Sequence, residues 1–170
     1  MEFSKLKLPK GLSIRPSKPT DKAFLEQLYK STREDLQQIN AEQDFVESIL
    51  DLQWRAQSQG YGDQYPNAMY FIIEKQGESV GNATLDFGPN EICLVDLALL
   101  PKARGLGYGG AAIQSFMYCA QQTMTPFSLC VLEQNFGARR LYQRLGFMVE
   151  SVQLPYLRMV WYPKKIQTAG

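Results

Sequence analysis

The order of apolar and polar positions divides the chain into short segments with two different periods. Residues 11–15, GLSIR, alternate as a strand does, and Pro16 and Pro19 then interrupt the chain before Thr20 and Asp21, either of which can cap a helix. AFLEQLYKSTREDL sets Phe24, Leu25, Leu28 and Tyr29 at helical spacing, and DFVESILDLQWRAQSQ places Phe45, Ile49, Leu52 and Ala56 on one stripe. After the turn-rich GYGDQYPN the period shortens to two. MYFIIEK, SVGNATLDF and ICLVDLALL, joined by the tight connections QGE and GPNE, predict an antiparallel meander. The second half predicts a helix in YGGAAIQSFMYCAQQ, a strand in FSLCVLE, a helix in GARRLYQRL, and strands in FMVESVQL and YLRMVWY.

The expected order is one strand, two helices, three strands, a helix, a strand, a helix and two strands. That is an α/β (α+β) fold: a central mixed, mostly antiparallel sheet of about seven strands flanked by about four helices, with crossover helices only in the second half. A chain of 170 residues fits a single domain over residues 1–170. Its 18 basic and 17 acidic side chains leave a charge of +1, which predicts neither nucleic acid nor a membrane surface as partner. MEFSKLKLPKGL lacks the apolar run of a signal peptide and no segment approaches a membrane span, so a cytoplasmic location is expected.

Two counts narrow the chemistry. The chain has no histidine, which excludes Ser-His-Asp and Cys-His nucleophilic catalysis and any histidine-based zinc site, and no metal is expected. Cys93, Cys119 and Cys130 are odd in number, lie in apolar stretches and form no CxxC pair, so they read as buried thiols.

The densest signal is ARGLGYGGA, with Gly105, Gly107, Gly109 and Gly110 between an apolar run and a helix. Gly105, Gly107 and Gly110 satisfy GxGxxG, but Pro101, Lys102, Ala103 and Arg104 separate them from the strand. Cys130 stands where a dinucleotide-binding unit has its acidic residue, so that reading fits poorly. The alternatives are a glycine-rich helix start that permits close packing, or a loop that wraps a pyrophosphate with free N–H groups at a helix N-terminus.

Arg104, two residues, Gly107, one residue, Gly109 resembles the coenzyme A loop of the GNAT superfamily of N-acetyltransferases. Asn135, Ala138, Leu141, Tyr142, Gly146 and Phe147 in NFGARRLYQRLGF resemble that family's second signature, and the two matches cover about residues 91 to 150. The resemblance implies an enzyme that takes acetyl-CoA as cosubstrate. It implies cofactor contacts from Leu97, Ala98, Leu99, Arg104, Gly105, Leu106, Gly107, Tyr108, Gly109, Gly110, Asn135, Ala138 and Arg139.

On a helix, Asn135, Ala138, Leu141, Tyr142 and Leu145 share one face, with Asn135 suited to cap it and Gly146 to end it. Tyr142 is the expected proton or hydrogen-bond donor to a departing thiolate, because a phenol stays protonated at neutral pH. The acceptor amine must lose a proton, and Asp96 and Glu133 are the carboxylates placed to take it, although each can instead be a structural anchor. The amides of Leu97, Ala98 and Leu99 are expected to face pantetheine and the thioester carbonyl. Arg33, Glu34, Trp54, Tyr61 and Tyr65 correspond to the acceptor wall, where the family varies most.

The acceptor is expected to be a small-molecule or peptide amine. A different acyl chain, a hydroxyl acceptor, or a non-catalytic coenzyme A sensor are the alternatives. YLRMVWY can close the sheet within one chain or pair with another, which leaves a homodimer open.

Overall fold

The computed structural model describes residues 8–32 and 67–165. The helix expected within residues 44–59 and the wall residues Arg33, Glu34, Trp54, Tyr61 and Tyr65 lie outside them. Within the described residues the order is β1 (Leu12–Pro16), α1 (Lys22–Ser31), β2 (Ala68–Lys75), β3 (Glu78–Phe87), β4 (Ile92–Leu99), α2 (Tyr108–Gln122), β5 (Phe127–Leu132), α3 (Phe136–Leu145), β6 (Met148–Gln153) and β7 (Tyr156–Trp161). The seven strands form one sheet in the order β1-β2-β3-β4-β5-β7-β6. Only β4 and β5 pair in parallel, and the other neighbours are antiparallel. This is the mixed, mostly antiparallel seven-stranded sheet expected above. YLRMVWY lies inside the sheet, between β5 and β6, and so pairs within its own chain.

Local chemistry accounts for the elements. β2 and β3 are joined at Gln76 and Gly77, both at positive φ (51° and 79°), the conformation of a two-residue hairpin whose twist matches its strands. Asp21 precedes α1, but its carboxylate makes no cap to the helix. It accepts instead from both terminal nitrogens of Arg15 at 2.8 Å and from the Lys18 amide at 2.7 Å, and so ties the chain entering α1 to β1. This bidentate pair holds the Asp21 carboxyl down to about 2.

The two faces of the sheet are covered differently. Ile14, Phe71, Ile73, Ala83, Leu85, Ile92, Leu94, Phe127, Leu129 and Met159 form one buried cluster with Ile113, Phe116 and Ala120 of α2, and Ala138, Tyr142 and Leu145 of α3 pack against it. Both crossover helices therefore lie on this face, as two successive right-handed crossovers require. Leu28 of α1 and Ile72 of β2 are buried outside that cluster and belong to the opposite face. No helix among the described residues is long and apolar enough to cross a membrane.

Candidate active site

The site originates in an incomplete strand pair. β4 and β5 are in register only at Ile92 with Phe127, Cys93 with Ser128 and Leu94 with Leu129. Beyond Leu94, β4 keeps its ladder with β3 through Leu97, Ala98 and Leu99 but has no partner on the β5 side. The Leu100 amide donates to Val80 O across that ladder at 2.8 Å. Alternation then turns the N–H and C=O of Ala98 toward β3 and those of Leu97 and Leu99 into the opening. The Leu99 carbonyl accepts from Arg104 Nε at 3.0 Å, which pins that side chain to the end of the strand.

The glycine segment closes the opening on the α2 side. Gly105 and Gly107 hold left-handed φ of 74° and 84°, and a Cβ at either would meet nothing within 4 Å, so their α-carbons look onto open space. The Ala111 amide donates to Gly107 O at 3.0 Å. The amides just before it are those that a helix start leaves without intrahelical acceptors. The other two glycines lie against neighbouring side chains: a Cβ at Gly109 would lie 3.7 Å from Leu99, and one at Gly110 would lie 3.4 Å from Leu141, both ordinary contact distances. The start of α2 thus lies between the end of β4 and α3, with the Gly105–Gly107 turn beside it. Leu106 stands exposed in that turn.

α3 carries its apolar side chains onto the same region. Asn135 Oδ1 accepts from the Ala138 amide at 3.2 Å, and Gly146 ends the helix at φ 101°, as its sequence predicts. The Tyr142 ring lies 5.9 Å from Phe147, and burial alone pushes its pKa up. The hydroxyl therefore keeps its proton throughout the neutral range.

On the other face of β4 stands Asp96. Ile92 and Leu94 point to the core, and strict alternation would send Asp96 there too. A bulge between Thr84 and Leu85 leaves Val95 without a counterpart on β3, so Leu97 and Leu99 resume the inward positions and Asp96, opposite Thr84, turns outward. Burial raises the Asp96 pKa, and hydrogen bonds with the Asn82 side chain and the Leu97 amide act against that rise. Tyr142 and Asp96 thus approach the parted strands from opposite faces.

Residues 25–147 match the acetyltransferase (GNAT) family. The chain belongs to that family, and it is an acetyltransferase. No curated protein sequence matches it significantly. Among solved structures it is similar to the PaiA N-acetyltransferase from Thermoplasma acidophilum in complex with coenzyme A, at 15% identity and TM-score 0.67 over 89% of this chain and 98% of that one. It is also similar to the ribosomal L7/L12 α-N-protein acetyltransferase RimL in complex with coenzyme A, at 15% identity and TM-score 0.68 over 93% and 97%. An acetyltransferase from Thermus thermophilus shares 20% identity at TM-score 0.64 over 91% and 99%.

The remaining sequence-predicted residues of this GNAT chain fall around the same opening with different freedom. Tyr108 opens α2 and packs partly on the core, with Lys75 Nζ 5.5 Å from its ring centre. Arg139 turns back on its own turn: Nη1 donates to Glu133 O at 2.9 Å, and the guanidinium stands 5.5 Å from the Phe136 ring. Glu133 is exposed at the end of β5, outside the half-buried setting of Asp96. Lys102 pairs with Glu78 at 2.5 Å on the surface. Only Cys119 of the three cysteines is buried: Cys93 is intermediate, and Cys130 is exposed because β5 turns it to the face opposite α2 and α3. Sequence reading passed over Asn82, whose signal was a lone amide among the small and apolar residues of SVGNATL.

Proposed function

We propose that this single domain transfers an acetyl group from acetyl-CoA to a primary amine by direct attack within a ternary complex. The observation that carries this reading is the parting of β4 from β5 after Leu94 and Leu129, with the Gly105–Gly110 turn at its end and Tyr142 and Asp96 on its two sides. The turn suits a pyrophosphate: left-handed glycines remove side chains from its surface, and the α2 N-terminus presents amides and positive dipole to an anion. Pantetheine would follow the opening along the β4 edge at Leu97 and Leu99, with Asn135 and Ala138 beside it. Neighbours of the same fold that hold coenzyme A support this reading.

The residues divide the proton work. An amine arrives as ammonium without a lone pair, so the Asp96 carboxylate takes one proton before the nitrogen attacks the thioester carbonyl. The second nitrogen proton passes to water as the tetrahedral adduct collapses. The raised pKa of Asp96 makes it a better base than a surface aspartate. The Leu99 amide is directed to donate to the carbonyl oxygen as charge develops there. The C–S bond then breaks, and Tyr142 meets the departing thiolate. Full transfer from a phenol of pKa about 10 to a thiolate of about 8.5 is uphill by roughly 2 kcal/mol, and burial of Tyr142 adds to that. A hydrogen bond that strengthens as the thiolate forms is what Tyr142 supplies. Burial pushes the Cys93 and Cys119 thiols up, which disfavours either as a covalent nucleophile.

Calorimetric titration with acetyl-CoA, with NAD and ATP as controls, tests the cosubstrate, and thiol release across a panel of primary amines tests transfer. The panel includes peptides with free N-termini, because RimL is an α-N-protein acetyltransferase. Micromolar acetyl-CoA binding with amine-dependent thiol release is expected. Stabilisation by NAD alone would overturn the reading, and acetyl-CoA binding without turnover on any amine would leave a coenzyme A sensor.

A further inference from the structure

Among the described residues, no counter-ion faces Asp96. Its rise in pKa has burial as the main cause, and the opposing effects come from one amide side chain and one backbone N–H, with no contribution from any charge among those residues. Titratable groups stand on every element around it: Arg15 on β1, Tyr70 on β2, Asp86 on β3, Cys93 on β4, Cys130 on β5, and Lys22, Glu26, Tyr29 and Lys30 on α1, which packs on β3 and β4. Two of the basic groups have other carboxylates: Arg15 binds Asp21 and Glu74, and Lys30 lies 3.6 Å from Glu26.

The register explains why Asn82 is the side chain that reaches the carboxylate. Thr84 stands opposite Asp96 and Asn82 opposite Ala98, so Asn82 is the diagonal neighbour of Asp96 on the same face. Thr84 is buried at 2% exposure, whereas Asn82 is half-buried and shares the outward-turned setting of Asp96. Diagonal positions are within reach of longer side chains. Without the bulge at Val95, Asp96 would face the core and Asn82 would have nothing to hold. Asn82 lies in the middle of a central strand between Gly81 and the buried Ala83, where an amide needs a partner to offset its desolvation.

We propose that Asn82 is a positioning residue of the acetyl-transfer reaction: its side-chain amide donates to Asp96, fixes the carboxylate toward the acceptor side of the sheet and keeps it ionised without quenching its basicity. The inference rests on the reading of Asp96 as the base. A neutral donor suits this task because it favours the charged form modestly, whereas Arg or Lys in its place would hold the carboxyl low and weaken it as a base.

The test is a carbon-13 carboxyl titration of the full-length protein, with the Asp96 signal assigned by its loss in Asp96→Asn. Asn82→Leu removes the donor at similar volume, and the Asp96 pKa is expected to rise by about one unit, since the carboxylate loses a hydrogen bond that favours it. Asn82→Ser, which retains a hydroxyl donor, is expected to restore part of the shift, and Asn82→Ala, which removes the donor without added bulk, serves in place of Asn82→Leu should that variant not fold. An Asp96 titration that does not move in a folded variant lacking the donor overturns the role of Asn82. Failure of the underlying reading looks different: Asp96→Asn would keep full thiol release with the amines that the wild type acetylates, whatever Asn82 does to the titration.

Discussion

Replacing Tyr142 with Phe separates the proposed donor role from packing, because ring and hydroxyl have different surroundings. The ring packs against the core, 5.9 Å from Phe147, and Phe keeps all of that contact. The hydroxyl has no hydrogen-bond partner among the described residues, so its removal strands no buried donor or acceptor. Stability should stay within about 0.5 kcal/mol of wild type. Turnover should not. A donor aimed at charge that forms only in the transition state contributes about 1.4 to 4 kcal/mol, which is a fall of about 10- to 1000-fold in kcat. Acetyl-CoA affinity should change less than about twofold, since the ground-state thioester sulfur is a weak acceptor. The assay is thiol release at saturating acetyl-CoA and amine, read beside a thermal melt and a calorimetric titration. An unchanged kcat would refute the donor role. A fall in kcat matched by a lower melting temperature and weaker acetyl-CoA binding would refute the claim that ring and hydroxyl act separately.

Three further perturbations read other parts of the same site and its support. Gly107→Glu puts a carboxylate on the open side of the turn at φ 84°, where backbone strain adds about 1–2 kcal/mol; acetyl-CoA binding should be lost in calorimetry, and retained affinity would remove the turn from the cosubstrate site. Asn135→Ala deletes the 3.2 Å cap of α3 and should cost about 1 kcal/mol, seen as a melting temperature lower by about 3 °C, with a higher KM for acetyl-CoA if the side chain also meets pantetheine. Asp21→Asn should destabilise at neutral pH by about 1 kcal/mol, a figure limited by solvent screening because the Arg15 side chain is 29% exposed. The Asp21 pKa is about 2 when folded against 3.8 for the free group, so the wild type's advantage should be complete above about pH 5 and should vanish as pH falls toward 2, measured by denaturant melts across that range.

Element identity was legible wherever one period held for a whole segment. YGGAAIQSFMYCAQQ is a helix over the residues expected, and the strands of the meander differ from their expected limits by one residue at most. Pairing was not legible, because period two says that a strand has an inner and an outer face but not which strand lies beside it. The insertion of β7 between β5 and β6 is such a case: YLRMVWY and FMVESVQL are equally good strands in sequence, and only the crossover of α3 past β7 decides which becomes the edge. The buried-thiol expectation failed at Cys130 for a related reason. An apolar run, FSLCVL, does not reveal that one face of its strand is left open.

The two halves of the site differ in how they are encoded, and that difference explains why a cosubstrate could be read and an acceptor could not. The proposed cosubstrate side is made of backbone: left-handed φ at Gly105 and Gly107, a helix N-terminus, and a strand edge that β5 leaves unpaired. Backbone demands of that kind restrict residue type, since few side chains tolerate positive φ, and the restriction is visible as glycine spacing. The acceptor side is made of side-chain directions on the sheet face opposite α2 and α3. There the decisive event is one extra residue at Val95, which exchanges inward for outward in the rest of β4. ICLVDLAL contains no residue that demands a bulge, and its alternation from Ile92 would send Asp96 into the core. The bulge turns the Asp96 carboxylate out to the face of Asn82, so the proposed base and its proposed positioning partner follow from strand pairing, which local sequence does not specify.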